Sequence, residues 1–174
     1  MRPSLTPPGP SWQRPHAAER GFGLLDGLLV VVVIAILAAV AVPNLKSWSR
    51  SYRLRSACLD LYAALQLART GAIKQNRPWT LAFNDNGYEV LDAAGARVRA
   101  VDFAADYQGQ VLYRHPRTAT KYDVRAITFT ANGLANTVGF AYLSASGENR
   151  FCRVGVPVLA GTPKIETWTG TGWE

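Results

Sequence analysis

The side chains that could carry chemistry in this sequence are few and far apart. Asp26 is the only charge in the stretch from Phe22 to Val42, FGLLDGLLVVVVIAILAAVAV. A carboxylate in hydrocarbon costs on the order of 2.5–3.5 kcal/mol at a bilayer centre and less toward either face. Asp26 therefore either sits at an interface or pairs with a cation from a neighbouring subunit. Cys58 and Cys152 are too few for a disulfide scaffold, and their spacing matches no zinc pattern. His16 falls in a proline-rich N-terminal stretch, and His115 stands alone in a polar segment, where a loop residue is expected rather than a ligand. Asp85, Asp92, Asp102, Asp106 and Asp123 are scattered. Asp85 lies in Asn84-Asp85-Asn86-Gly87, where turn chemistry accounts for it better than calcium does. There is no G-x-S-x-G, H-E-x-x-H, C-x-x-C or phosphate-binding glycine loop. Catalysis, a cofactor and a metal site are therefore not expected. The net charge of +7 permits an anionic partner without requiring one. Arg97, Arg99, Arg114, Arg117, Lys121 and Lys164 are the candidate phosphate contacts, and a solvated surface is the plainer account of them.

The elements that must position these groups begin with the apolar run. Its 21 residues span about 31 Å as a helix, close to the hydrocarbon thickness of a bilayer. From Leu28 to Val42 no residue is polar, so the run has no wet face of the kind a core helix shows. A transmembrane helix over 22–42 is expected. Residues 1–21 hold prolines and no apolar period, and form a leader rather than part of the fold. Arg14 and Arg20 in the leader would hold it on the cytoplasmic side, leaving the C-terminal part across the membrane.

Pro43 lacks an N–H and disfavours helix at Val42, so a bend or melted turn is expected there. A second helical pattern follows within 43–75. Leu54, Cys58, Leu61, Leu65, Ala68 and Ala72 recur at steps of three and four, which makes one apolar stripe for a sheet to cover. From 76 to 174 the pattern is of short strands: Trp79–Phe83, Tyr88–Leu91, Arg97–Phe103, Ala126–Thr130, Val138–Leu143, Phe151–Val158 and Lys164–Trp168. Asn86-Gly87 reads as a hairpin turn, while Asp106–Tyr122 is polar, basic and unassigned. One long helix followed by strands is an α+β arrangement, with the helix on an antiparallel head. Cys58 lies on the apolar stripe and Cys152 in the strand Phe151–Val158. In an oxidising compartment the two would close a disulfide; the alternative is two buried free thiols acting as small apolar residues.

Gly21-Phe22, Leu24, Leu25, Asp26, the Val/Ile/Leu/Ala run and Pro43 together resemble the N-terminal signal of type IV pilins and pseudopilins. The resemblance implies that prepilin peptidase cuts after Gly21 and methylates Phe22. It also implies that Asp26, fifth from the new end, neutralises the amine of an adjacent subunit, and that Pro43 is the helix-loosening proline. Asp26 replaces the usual glutamate, and Gly23 the usual threonine. The stretch SACLDLYAALQLARTGAIKQNRPWTLAF, the segment Ile127–Gly133 and the closing Arg153–Val158 are similar to the GspH/FimT family of minor pseudopilins and minor pilins. That similarity implies a pilin-like fold and a structural subunit of a type II secretion pseudopilus or a type IV pilus. Its partners would be other pilins, prepilin peptidase, an inner-membrane assembly platform and the bacterial inner membrane itself. Some FimT-type members act in DNA uptake through an arginine-rich G-R-x-R pattern. Here the comparable stretch is Gly161-Thr162-Pro163-Lys164, without arginine, so a pilus-displayed DNA receptor is the second expectation.

Overall fold

A computed structural model describes residues 23–174, without the side chains of residues 40–47. The leader expected over 1–21, Gly21 and Phe22 lie outside the described residues, as does the side chain of Pro43. The chain divides into two compact units, 1–40 and 41–174.

The first element, α1, is a helix over Leu24–Gln75. In the first unit its described side chains, from Leu24 to Ala39, are all exposed. Among the described residues no helix is long and apolar enough to cross a membrane. The melted turn expected at Pro43 is absent, since helix continues through that position. A proline removes one hydrogen bond of the helical ladder, and the bonds on either side carry the helix across it.

In the second unit α1 turns a single stripe inward. Leu54, Ala57, Cys58, Leu61, Ala64, Leu65, Ala68 and Ala72 are buried, all but Leu54 and Cys58 completely. Each buried leucine contributes roughly 1.5–3 kcal/mol. The small residues let the helix approach closely. A Cβ on Gly71 would stand 2.6 Å from the Trp79 ring, so that ring lies flat on the helix backbone.

The strands are β1 (Trp79–Phe83), β2 (Gly87–Leu91), β3 (Arg97–Asp102), β4 (Val111–Tyr113), β5 (Ala126–Phe129), β6 (Gly139–Ala145), β7 (Phe151–Val156) and β8 (Lys164–Thr167), with a short helix α2 over Phe103–Asp106. They form two four-stranded antiparallel sheets, ordered β3-β2-β1-β5 and β4-β6-β7-β8. The α+β class holds, with two sheets sharing one core with the helix. The unassigned Asp106–Tyr122 segment supplies β4, which pairs with β6 in the register Val111↔Ala145 to Tyr113↔Leu143. Gly87 has a different reason from the one its Asn-Gly pairing suggests. It lies in β2 and has no positive φ. A Cβ there would stand 1.9 Å from the Val101 carbonyl oxygen, so glycine is needed for β3 to pair closely. The turn itself is closed by the Asn84 N–H donating to the Gly87 carbonyl at 3.0 Å and the Asn86 N–H to Asn84 Oδ1 at 3.1 Å.

Candidate functional site

Asp26 lies in the first turn of α1, where a carboxylate complements the unpaired N–H groups and the helix dipole. Its Oδ2 accepts from the Gly23 N–H at 3.4 Å. The side chain is exposed, so the acid is open to a partner from outside the chain.

Two neighbouring residues of α1 tie the helix to both sheets. Cys58 is joined to Cys152 of β7 by a disulfide, with Cα atoms 6.7 Å apart. One half-turn on, Asp60 meets the other sheet. Its Oδ1 takes the Arg99 guanidinium of β3, and its Oδ2 accepts from the Tyr88 hydroxyl at 3.3 Å and the Tyr107 hydroxyl at 3.1 Å. Burial pushes the Tyr88 and Tyr107 phenols up, and the Asp60 charge pushes them further the same way. Asp60 was not among the residues singled out from sequence. Its position just off the apolar stripe was the available signal.

The six candidate nucleic-acid cations are not brought together. Arg97 and Arg99 stand on β3 of the first sheet, while Arg114 follows β4 and Lys164 opens β8 in the second. Each has a partner within the chain. Arg97 pairs with Glu89 at 2.8 Å, Arg99 with Asp60, Lys121 with Asp85 at 2.8 Å and Lys164 with Glu166 at 2.7 Å. Arg114 lies over the Phe151 ring at 5.9 Å and Arg117 over Trp168 at 4.9 Å. The bond from Lys121 holds the Asp85 carboxyl below its usual range, so Asp85 serves an ion pair.

The outer face of the second sheet carries an aromatic and arginine cluster that the sequence reading missed. Arg153 lies over Phe140 at 4.3 Å and over Trp173 at 4.9 Å, and Trp173 stands 5.2 Å from Trp168. The alternation Phe140/Tyr142 and Phe151/Arg153 along two paired strands was the signal for it. His115 stands edge-on to Tyr142 at 4.5 Å. Its Nδ1 accepts from the N–H groups of Arg117 at 3.2 Å and Thr118 at 3.1 Å. That geometry shapes a loop. Among the described residues no group of three or more histidine, cysteine or acidic side chains could hold a metal.

A cleft of about 600 Å³ runs between α1, from Ser51 to Leu59, and the ends of β7 and β8. Its walls include Arg55, Arg150, Phe151 and Trp168, but no carboxylate and no imidazole.

The family model described as type II transport protein GspH matches residues 57–156, from the inward face of α1 to the end of β7. Two crystal forms of the type IV minor pilin FimU from Pseudomonas aeruginosa are also similar. One is 23% identical with a TM-score of 0.49, covering 70% of this chain and 97% of that one. The other is 21% identical with a TM-score of 0.49, covering 73% and 96%. No curated protein matches the chain.

Proposed function

The chain belongs to the GspH family of type II transport proteins, and on that premise we propose that it is a minor pilin or pseudopilin, a structural subunit of a filament anchored in the bacterial inner membrane. The family match over 57–156 carries the reading. The sequence before it supplies the rest: a basic leader, Gly21-Phe22, an acid at Asp26 and an apolar run to Val42. In this reading prepilin peptidase cuts after Gly21 and the apolar run enters the bilayer. The second unit lies on the periplasmic side, and an inner-membrane assembly platform lifts the subunit among other pilins. A free amine buried between helices is a costly charge, and the Asp26 carboxylate of a neighbour offsets most of that cost. A DNA receptor is the weaker reading, because all six candidate cations already have partners within the chain.

Intact-mass measurement of protein extracted from membranes tests the proposal. The expected species begins at Phe22 and carries a methyl group. A chain still beginning at Met1 in cells that hold the peptidase refutes it.

A further inference from the structure

About half of the described cations of the second unit are paired or stacked; Arg69, Lys74, Arg77 and Arg125 join no ion pair among the described residues, and neither do three arginines that lie close together on α1. Among the described residues Arg50, Arg53 and Arg55 join no ion pair, whereas Arg97, Arg99, Arg150, Arg153, Lys121 and Lys164 all do. Interleaved with them are Trp48 and Tyr52, 68% and 63% exposed, with their rings stacked 6.0 Å apart. Large aromatic rings left in water next to unpaired arginines indicate a partner that is apolar at one level and anionic just beyond it.

The arrangement around the helix narrows the partner further. At about 100° per residue, Arg50, Arg53 and Arg55 point to different sides of α1 instead of along one stripe. Arg50 turns toward the hairpin between β6 and β7, where a Cβ on Gly147 would stand 3.2 Å from its guanidinium. Arg150 of that hairpin reaches Ser51 at 2.6 Å and leaves 62% of its own side chain exposed. A protein groove would meet one side of such a helix, while a headgroup layer around the helix meets all of them. Trp48 follows the apolar run by six residues, about 9 Å along a helix, which puts it just past a headgroup zone about 5–7 Å deep on each face. Arg50 and Arg53 then lie within about 10 Å of the outer edge of that zone, which is the range of a membrane's surface potential at moderate salt, and Arg55 lies a little beyond it.

We propose that Trp48, Tyr52, Arg50, Arg53, Arg55 and Arg150 form a belt that binds the anionic phospholipid headgroups of the bilayer that the apolar run enters. The belt holds the second unit down on the leaflet until the subunit is extracted, and its contacts must be given up when that happens. This rests on the reading that the apolar run is inserted in a membrane.

The test uses the full chain in vesicles of phosphatidylcholine alone, or of phosphatidylcholine with phosphatidylglycerol, each carrying a small fraction of lipid spin-labelled on its headgroup. Subtracting the fluorescence of a Trp48→Phe variant isolates the Trp48 signal from the other four tryptophans. The expected result is headgroup-label quenching of Trp48 that is stronger in the anionic vesicles, falls to the phosphatidylcholine level at high salt and falls to it in the Arg53→Gln/Arg55→Gln double variant. An unchanged melting transition of that variant in phosphatidylcholine shows that it folds. Equal quenching in both vesicles, or quenching indifferent to the double substitution, overturns the belt while leaving insertion intact. Release of the wild-type chain from vesicles by alkaline carbonate overturns insertion, and the belt with it.

Discussion

Reduction of the Cys58–Cys152 bond should lower the stability of the second unit by an amount set by chain length. The two cysteines are 94 residues apart, and for a loop of that size the chain-entropy relation gives about 4.6 kcal/mol at room temperature. Both positions are only 3% exposed. The reduced thiols remain as small apolar groups in the core and add little cost of their own. The unit spans Ala41–Glu174, about 130 residues, and at roughly 2.1 cal/mol/K per residue the loss corresponds to a fall in Tm of about 16 °C. The assay is thermal unfolding of the full chain in detergent, with and without reductant, beside a Cys58→Ala/Cys152→Ala variant. Protein extracted from cells without reductant, denatured and treated with a thiol reagent, should label at no site, and at two after reduction. Two reactive thiols before reduction refute the bond. A fall in Tm of only about 2 °C refutes the loop-entropy account of its worth.

Asp26→Ala should leave the melting of the second unit unchanged and reduce co-purification with partner pilins, while Asp26→Glu should retain it; equal recovery of Asp26→Ala would sink the charge-pairing role. Gly87→Ala should destabilise by about 3 kcal/mol, because the added Cβ meets the Val101 carbonyl at 1.9 Å and backbone must move; a change below about 0.5 kcal/mol in a denaturant melt would contradict the close approach. Burial raises the phenols of Tyr88, Tyr107 and Tyr113 in the folded state, and the Asp60 charge adds to the first two. Unfolded tyrosine titrates near about pH 10, so this stability is fully present below that pH and is lost as pH rises above it. Tyrosinate absorbance should therefore lag in the folded protein and rise together with unfolding; simple titration of all seven tyrosines at about pH 10 in a still-folded chain would refute it.

The parts of the fold that were legible in the sequence are those written in local periodicity. Leu54, Cys58, Leu61, Leu65, Ala68 and Ala72 repeat at helical spacing, and all of them are buried. The Asn84–Asn86 turn was readable because asparagine side chains bond their own backbone. What was not legible depends on pairing between distant segments. β4 is three residues long, too short to show an alternation, and exists because Ala145 to Leu143 of β6 offer it a ladder. The division into two sheets follows from β1 pairing with β5, across more than forty residues of chain, and no local pattern records that pairing. The same limit scattered the basic candidates. Arg97 and Arg99 face Glu89 and Asp60, partners that only the folded register brings near. At Pro43 the helical bonds on either side carry the helix through, so no turn melts there.

The bond at Cys58 and the carboxylate at Asp60 have a mechanical consequence. A pull along α1 from its N-terminal side reaches the second sheet through Cys152 and the first through Arg99, Tyr88 and Tyr107, within two residues of one another. Load carried along the helix is therefore shared between the two sheets at one clamp, a short stretch of α1. Its two jaws differ in kind: one covalent, the other made of hydrogen bonds and an ion pair. Under tension the Asp60 side yields first, and a reducing agent turns the clamp into a hinge.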